Sequence, residues 1–335
     1  MKFLVFSDLH SHTHREFGAI LKNGIHSRLY DCLNTVLEIR DYAKKHDISL
    51  VLCGGDVFHT RQHVDTSVLN LTYNAFYELS KVATILLIAG NHDQYSKDNS
   101  VISTEIFRTI PNLHLLENEI YTHQGYEFVG VPFYDDLNET FARIRKFQGA
   151  ERVLLAHAEV LSASTTMGFK FEDGLRVGDL TDIFRYVFIG HIHKYQKLCK
   201  NVYIPGSPLS HNWGDVNDHK GFLEVDLDKS SVKRVYSGAP RFIETNDPSI
   251  LNDRDFFRLV VDKPLKTEEI DSLREETSQL VILDTAPEEA KARSELSVSL
   301  SYEDMISRYI IERNPQLDFD KLKKLGLSCI QYDDR

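Results

Sequence analysis

The chain has 335 residues, of which 42% are hydrophobic and 27% are charged, so collagen-like, coiled-coil and largely disordered proteins are excluded. At about 150 residues per domain, this length predicts two domains, or one large domain with appendages. The formal net charge of −11 gives no general sign of a nucleic-acid-binding protein. Any such function must therefore come from a local site.

The cysteines and the apolar segments indicate a cytoplasmic protein. Cys32, Cys53, Cys199 and Cys329 form no Cys-x-x-Cys pair, which excludes a zinc ribbon and a thioredoxin-type motif. The apolar start of the chain ends at Asp8 and is too short for a signal peptide. No run approaches the ~18 apolar residues of a membrane span. We expect reduced thiols.

The first part of the chain alternates short apolar strands with helices. Helices are predicted at 29–45 and 68–79, where apolar residues recur at helical spacing. Strands are predicted at 2–6, 49–52, 84–89, 128–131, 152–156 and 186–189, and later, without helices between them, at 198–204, 221–225 and 232–236. This order predicts an α/β fold whose sheets are completed by antiparallel strands.

The last third of the chain differs from the rest. All 15 histidines precede residue 220, and residues 246–335 contain 13 basic and 20 acidic residues. We therefore predict one functional domain over 1–245. A β-α-β unit follows over 246–287, with a strand at 256–261, a helix at 268–276 and a strand at 280–283. A polar linker is predicted over 288–301, and two short amphipathic helices over 302–335.

Five segments place metal-binding side chains at or just after the end of a predicted strand. They are Asp8-Leu9-His10, Gly55-Asp56, Gly90-Asn91-His92-Asp93, His157 and Gly190-His191-Ile192-His193. The carboxyl ends of strands are where ligands bind in open α/β sheets, so the fold would bring these segments together. Carboxylate, imidazole and amide ligands favour manganese, iron or zinc over a metal that needs thiolates.

The spacing within these segments has a physical reason. Asp8 and His10 are two residues apart in an extended segment, so both side chains point to the same side, and His191 and His193 repeat this geometry. A single carboxylate, for which Asp56 is the candidate, can bridge two cations. Two cations about 3.5–4 Å apart can hold a phosphate and activate water.

Together these motifs resemble the signature of the calcineurin-like metallophosphoesterases over residues 1 to about 235. That resemblance implies a β-sandwich flanked by helices. The segments Asp56-Val57-Phe58-His59 and Tyr203-Ile204-Pro205-Gly206-Ser207-Pro208 are similar to the SbcD/Mre-eleven DNA-repair nucleases, including phage recombination nuclease subunits. The resemblance implies a DNA exonuclease and endonuclease with two Mn²⁺ ions (Mg²⁺ or another divalent metal as alternatives), in the host cytoplasm if the chain comes from a phage.

The resemblance also implies a role for each motif residue. Asp56 would bridge the two metals; the first would also be bound by Asp8, His10 and His193, and the second by Asn91, His157 and His191. Among the catalytic residues, His92 would face the scissile phosphate, Asp93 would orient His92 or brace its turn, and His59 would support the ligands or touch phosphate. His12 and His14 depart from the family pattern, and we expect them to be solvated loop residues outside the site. Candidate phosphate contacts are Arg15, Lys22, Arg28, Arg61 and Lys194.

The remaining expectations concern partners and alternatives. The resemblance implies that residues 246–287 form a capping domain that guides DNA, or a small packing subdomain without substrate contact. It implies that residues 302–335 bind an SbcC/Rad-fifty-type ATPase, with a nuclease homodimer inside a heterotetramer. The helices of that tail would otherwise pack on their own domain. Two other hypotheses stay open. One is a phosphatase or cyclic-nucleotide phosphodiesterase, and the other is a non-catalytic scaffold subunit of the same fold.

Overall fold

The computed structural model describes residues 1–14, 16–96, 99–277, 279–284, 306–307, 310 and 319–330. The strands of its two large sheets are β1 Lys2–Phe6, β2 Leu50–Cys53, β3 Thr84–Leu87, β4 Leu113–Leu115, β5 Glu119–His123, β6 Tyr126–Val131, β7 Gly149–His157, β8 Phe184–Gly190, β9 Gln196–Lys197, β10 Val202–Ile204, β11 Gly221–Asp226 and β12 Ser231–Tyr236. One sheet has the order β12-β11-β1-β2-β3-β4, and the other has the order β5-β6-β7-β8-β10-β9.

Each large sheet has a parallel centre, which antiparallel strands extend at one edge of the first sheet and at both edges of the second. Strands β1 to β4 are parallel, while β11 and β12 are added antiparallel beside β1. In the second sheet β6, β7, β8 and β10 are parallel, and β5 and β9 are antiparallel to their neighbours. The antiparallel closure that the sequence predicts is therefore present in both sheets.

The two sheets pack face to face because strand residues alternate between two apolar environments. Phe3 and Val5 belong to a core that also contains Phe128 and Phe188 of the second sheet. Leu4 and Phe6, which alternate with Phe3 and Val5 along the strand, instead belong to a core shared with the helices outside the first sheet. Central strands that are buried on both faces are typical of parallel sheets covered on both sides.

Helices cover the outer faces of the sandwich. Helices α1 (Ser27–Lys45) and α2 (Thr66–Ser80) pack on the first sheet, and α3 (Leu137–Lys146) and α4 (Gly178–Thr181) supply apolar residues to the core outside the second. The predicted α/β fold, a β-sandwich flanked by helices, is confirmed. Among the described helices, none combines the length and apolar character needed to span a bilayer.

One predicted strand is wrong. The sequence predicts a single strand over 198–204, but β9 and β10 form a hairpin there, with Tyr203 opposite Lys197. The turn is fixed by Asn201, whose side-chain amide donates to the carbonyls of Thr181 and Phe184, each at 2.8 Å. These contacts come from distant residues, so local hydrophobicity does not reveal the turn. Strands β4 and β5 and helix α3 were not predicted either.

A third sheet follows the sandwich, in the order β13 (Phe242–Thr245), β14 (Phe256–Val261) and β15 (Leu280–Asp284), with helix α5 at Thr267–Glu276. One compact unit comprises Met1–Leu259 and Glu268–Val281, and another comprises Val260–Thr267 and Ile282–Arg335. The boundary at 246 and the capping role stay predictions. The linker at 288–301 lies outside the described residues, and within 302–335 the longest described element is helix α6, Phe319–Ile330.

Candidate metal centre

The carboxyl ends of strands from both large sheets meet at one edge of the sandwich. Glycines make this close approach possible, because a Cβ atom at Gly190, after β8, would lie 2.3 Å from the carbonyl oxygen of Gly54, after β2. The loop after β1 is tied to the loop after β2, since the Asp8 N–H donates to the Gly55 carbonyl at 2.9 Å. This geometry brings the motifs of both sheets into one site.

Asp8, His10 and His193 form the first candidate ligand group. Their ligand atoms all lie within 4.8 Å of one another. The Nε2 atoms of His10 and His193 are 3.0 Å apart. Burial, together with the nearby His193 ring, lowers the pKa of His10, so His10 is neutral and offers a lone pair. Asp8 is fully buried, and its carboxylate also accepts a hydrogen bond from the His191 N–H at 3.0 Å. This bond connects the Asp-x-His segment after β1 to the His-x-His segment after β8.

Asn91, His157 and His191 form a second group with Asp56. The Oδ1 atom of Asn91 lies 3.0 Å from His157 Nε2 and 2.9 Å from His191 Nδ1. The ligand atoms of Asp56, His157 and His191 lie within 4.8 Å of one another. His157 Nδ1 donates to the Gly54 carbonyl at 2.7 Å, which directs Nε2 into the site. Orientation of a ring through its other nitrogen is usual for histidines that bind metals.

Asp56 lies between the two groups. Its Oδ2 atom is 3.5 Å from His10 Nε2 and 3.5 Å from His157 Nε2, while its Oδ1 atom accepts from the His92 N–H at 2.7 Å. Burial disfavours the charged forms of both Asp56 and His157. The attraction and hydrogen bond between the two groups outweigh this effect, so the pKa of Asp56 is lowered and the pKa of His157 is raised. One carboxylate oxygen is thus equidistant from the two candidate metal groups.

The backbone is strained at four of the predicted ligands. Asp8, His10, Asp56 and His191 have φ angles of 58°, 47°, 54° and 100°, in a region that side-chain-bearing residues rarely adopt. Each such residue costs about 1–3 kcal/mol, and such strain concentrates at functional sites. Here it turns the chain sharply after β1, β2 and β8, so that the side chains converge. The prediction of an extended Asp8-Leu9-His10 segment is therefore wrong, because both Asp8 and His10 are in the left-handed region.

The residues present fit a pair of divalent cations. The two groups contribute carboxylate, imidazole and amide atoms, and Asp8, His10, Asp56, Asn91 and His157 are all buried. Nitrogen and oxygen donor atoms from separate segments converge here at distances near 3 Å. Oxygen and imidazole donors suit manganese, iron or zinc. The assignment of each ligand stays a prediction.

His92 lies beside the first group with one ring nitrogen already engaged. Its Nδ1 atom is 2.5 Å from the carbonyl oxygen of His59, so Nδ1 carries the hydrogen and donates it. Its ring centroid is 4.7 Å from that of His10. The Nε2 atom is therefore the ring nitrogen that can contact a bound substrate. The predicted role of His92, in which the ring faces the scissile phosphate, needs one such nitrogen.

Asp93 braces the turn and does not contact the His92 side chain in the described structure. It is completely buried, and its carboxylate accepts from the backbone N–H groups of Val57 (3.3 Å), Phe58 (3.1 Å) and Gly90 (3.0 Å). Burial and the charge of Asp56 raise the pKa of Asp93 to about 7, against the effect of these amides. Of the two roles predicted for Asp93, this geometry matches the bracing role, whereas the His59 carbonyl orients His92.

His12 and His14 are half-buried loop residues that pack against His59, so they lie nearer the site than the sequence predicts. The ring centroids of His12 and His14 lie 5.2 and 5.0 Å from that of His59. Burial, followed by the charge of Arg28, lowers the pKa of His14 to about 3. Burial also lowers the pKa of His59 to about 4. The three neutral rings extend the site from His92 toward the surface.

His211 is part of the site although the sequence analysis missed it. Its Nε2 atom lies 3.0 Å from the backbone oxygen of Asp8, and its ring is 5.1 Å from that of His10 and 5.0 Å from that of His193. Its position three residues beyond the end of the nuclease-like segment, at Pro208, was the available signal.

Arg28 is an anchor for this loop and not a phosphate contact, which corrects the prediction. The side chain is 1% exposed and donates to the carbonyls of Glu16, Ser210 and His211 at 3.1–3.2 Å. Its guanidinium also lies 4.6 Å from the ring centre of Phe256. Of the other candidates, Lys22 and Arg61 are exposed, Lys194 is half-buried beside His193, and Arg15 lies outside the described residues.

Comparison with known proteins places these motifs in one family. The model of the calcineurin-like phosphoesterase family matches residues 1–195. An uncharacterized protein of Acanthamoeba polyphaga mimivirus is 26% identical over 203 residues, which are 56% of this chain and 15% of that protein. "Putative phosphoesterase 244L" of Invertebrate iridescent virus 6 is 24% identical over 67% of this chain and 80% of its own length.

A further viral relative and two solved structures are more distant. "Putative phosphoesterase 078R" of Invertebrate iridescent virus 3 is 21% identical over 51% of this chain and 50% of its own length. One solved structure covers 70% of this chain and 98% of itself at 10% identity, with a TM-score of 0.44. Another, titled "Structural and Functional Characterization of a Novel Archaeal Phosphodiesterase", covers 71% and 100% at 14% identity, with a TM-score of 0.38.

Proposed function

The chain belongs to the calcineurin-like phosphoesterase family, and we propose that it is a manganese-dependent DNA nuclease that hydrolyses phosphodiesters with two cations. The proposal depends most on Asp56, whose Oδ2 atom lies 3.5 Å from a histidine of each ligand group. A carboxylate in this position can hold two cations at the short separation that phosphodiester hydrolysis requires.

The chain's own residues then have distinct tasks. Cations bound here would supply Lewis-acid activation of the ester and of the attacking water. His92 Nδ1 donates to the His59 carbonyl, which fixes the ring and leaves Nε2 facing the site. In the protonated ring, Nε2–H would give its proton to the leaving oxygen, and the ring would become neutral with its remaining hydrogen on Nδ1. Asp93 holds the Gly90 turn and the 57–58 backbone in place through three amides. His59, packed on His12 and His14, would face the phosphate from the same side.

The choice of DNA as substrate is supported by the segment that resembles the SbcD/Mre-eleven nucleases. Ser207, which lies within Tyr203–Pro208, donates its N–H to the His193 carbonyl at 3.0 Å. Lys220, outside that segment, donates from Nζ to the same carbonyl at 2.9 Å. Gly206 has a φ of 74°, and a Cβ there would lie 2.8 Å from the same oxygen. The nuclease-like segment therefore holds the backbone of a predicted metal ligand, which supports a link between this segment and the candidate metal centre.

A phosphatase or cyclic-nucleotide phosphodiesterase is the second candidate, because two viral relatives are named phosphoesterases without a stated substrate. A scaffold subunit that has lost catalysis is disfavoured, since each of the seven predicted ligand positions has a metal-binding side chain.

The test compares substrates and metals. Purified protein is incubated with labelled duplex or single-stranded DNA, with an aryl phosphomonoester and with cyclic nucleotides, in Mn²⁺, Mg²⁺ or EDTA. We expect DNA cleavage in Mn²⁺ that is lost in EDTA and in Asp56→Ala. His63→Ala, which changes a histidine whose side chain is 85% exposed, is the matched control and should cleave normally. Hydrolysis of the monoester or cyclic nucleotide without DNA cleavage would favour the second candidate.

The partner proposal depends on the end of the chain. We propose that residues 302–335 dock on an SbcC/Rad-fifty-type ATPase and that the nuclease forms a homodimer within that complex. Met305, Ile306, Tyr309 and Ile310 recur at helical spacing in the sequence, and the later helix α6 at Phe319–Ile330 includes Leu322, Leu325 and Leu327 in its sequence. An amphipathic helix of this kind binds by placing its apolar face in a groove of a partner.

A further inference from the structure

A cleft of about 340 Å³ opens directly beside the predicted metal ligands. His191 and His193 form one wall, and Lys194 and Asn212 line it as well. The opposite wall is a short hairpin that contains Thr165, Thr166, Met167, Phe169 and Phe171. The cleft is therefore continuous with the candidate metal centre, and a ligand in it would be bound next to the reacting phosphate.

The hairpin has a defined conformation although its tip is apolar and exposed. The Thr165 N–H donates to the Phe169 carbonyl at 2.8 Å, and Gly168 closes the turn with a φ of 87°. Gln196 Oε1 accepts from the Ser164 N–H at 3.0 Å and ties the hairpin to β9. Met167 and Phe169 are nevertheless 61% and 72% exposed. A fixed loop that holds large apolar side chains in solvent beside a polar site is typical of a binding surface.

The polar lining of the cleft suits a heterocycle that carries a phosphate. Within the described part of the chain, the hydroxyl oxygens of Thr165 and Thr166 are shielded from solvent and have no hydrogen-bond partner. Among the same residues Lys194 forms no ion pair, so its charge is available to an anion. The carboxylate that lines the cleft, Asp215, is already paired with Lys220 at 2.7 Å and adds little repulsion.

We propose that this cleft binds the base of the nucleotide next to the scissile phosphate, a role that rests on the proposed function. Phe169 and Phe171 offer aromatic faces for stacking, and the ring of Phe171 is 6.1 Å from that of His191. Stacking of this kind is largely independent of base identity, because every base has a π face. The base must leave the duplex to enter, so the enzyme would prefer single-stranded or frayed ends.

The experiment uses the full-length protein and a Phe169→Ala, Met167→Ala double variant. The substrates are a labelled single strand and the same strand with abasic residues on both sides of the cleaved bond. Tyr77→Ala is the matched control, because Tyr77 is an exposed aromatic residue on α2 whose ring packs on Lys81 outside the cleft. Thermal unfolding of each variant shows that the fold is intact.

Wild-type protein and Tyr77→Ala should have a lower KM for the normal strand than for the abasic strand. In the double variant this preference should fall by about 5- to 150-fold, the range expected for the loss of one stacked base. An unchanged preference would overturn the proposal. A variant that keeps the preference but loses ATPase binding would also overturn it, because the occupant would then be a protein segment.

A second readout separates this proposal from the nuclease proposal. Binding of 2-aminopurine deoxynucleotide in EDTA, followed by fluorescence quenching, needs no hydrolysis. Quenching in wild type and Tyr77→Ala that is lost in the double variant supports a base site even if no DNA is cleaved. Equal quenching in all three proteins means that the cleft is not a base site, whatever the nuclease activity.

Discussion

The clearest consequence of the site geometry is that Gly90 tolerates no side chain. A Cβ atom at this position would lie 2.2 Å from Asp56 Oδ1, 2.5 Å from the Asp56 backbone nitrogen and 2.7 Å from His157 Cε1. Gly90→Ala adds one methyl group between the predicted bridging carboxylate and a ligand of the second metal. The φ of Gly90 is not in the left-handed region, so the effect is purely steric.

The size of the effect follows from these distances. Ordinary contact begins at 3.4 Å, so moving Asp56 Oδ1 from 2.2 Å to that distance requires a displacement of about 1.2 Å. Metal sites tolerate about ±0.2 Å in ligand distances, and a misplacement of about 1 Å in an active site costs about 10²-fold in rate. Overpacking also lowers the free energy of unfolding by about 1–3 kcal/mol. We expect reduced metal content and at least a 10²-fold loss of kcat/KM.

The assay compares Gly90→Ala with Gly178→Ala. A Cβ at Gly178 would meet no atom within 4 Å, so this control adds the same methyl group in open space and should behave like the wild type. Metal content is measured by elemental analysis, stability by thermal unfolding and activity by DNA cleavage in Mn²⁺. Metal content and cleavage in Gly90→Ala equal to those of Gly178→Ala would refute the crowded two-metal arrangement.

Asp56→Ala should lose cleavage and bind less metal in elemental analysis, whereas full metal occupancy would contradict the bridging assignment. His92→Ala should keep metal and DNA binding while turnover falls by about 10²–10⁴-fold; a near-normal rate in Mn²⁺ would reject its role. Arg28→Leu leaves the buried carbonyls of Ser210 and His211 without a partner, at about 1–3 kcal/mol each, and should lower the free energy of unfolding in a denaturant titration by about 2 kcal/mol or more; a loss under 1 kcal/mol would mean that Arg28 is no anchor. Deleting residues 300–335 should abolish co-purification with the ATPase while simple DNA cleavage persists; co-purification at full stoichiometry would show the docking assignment to be wrong.

Local sequence was sufficient for the central strands that precede the candidate ligands, and for the residues at the ends of those strands. Strand β1 was predicted at its observed bounds, because an uninterrupted apolar run bounded by Asp8 has few alternatives. The motifs after β1, β2 and β3 of the first sheet, and those after β7 and β8 of the second, converge for two reasons: parallel strands end at the same edge of a sheet, and the two sheets approach each other at that edge. Asn91 and His191, 100 residues apart, lie within 2.9 Å of each other for these reasons.

Local sequence was insufficient where a side chain's surroundings come from distant segments. His12 and His14 read as loop residues, yet both pack on His59. Arg28 reads as a surface cation, yet it is bound to a carbonyl 183 residues away. Charge and hydropathy indicate whether a side chain favours water or an apolar environment. They do not indicate which distant segment of the chain will cover it.

The sequence by itself determined the strand order along the chain, the family and the set of candidate ligands, because each depends on residues that are neighbours in the chain. The tertiary structure decided which face each histidine presents and that His211 joins them. It also decided that Asp93 braces a turn and that an apolar hairpin borders the site. The contacts of Asp93 and His211 join segments that are distant in the chain. The ligands of the two sheets meet because the sheets approach closely at Gly54 and Gly190, a distance set by packing across the whole sandwich.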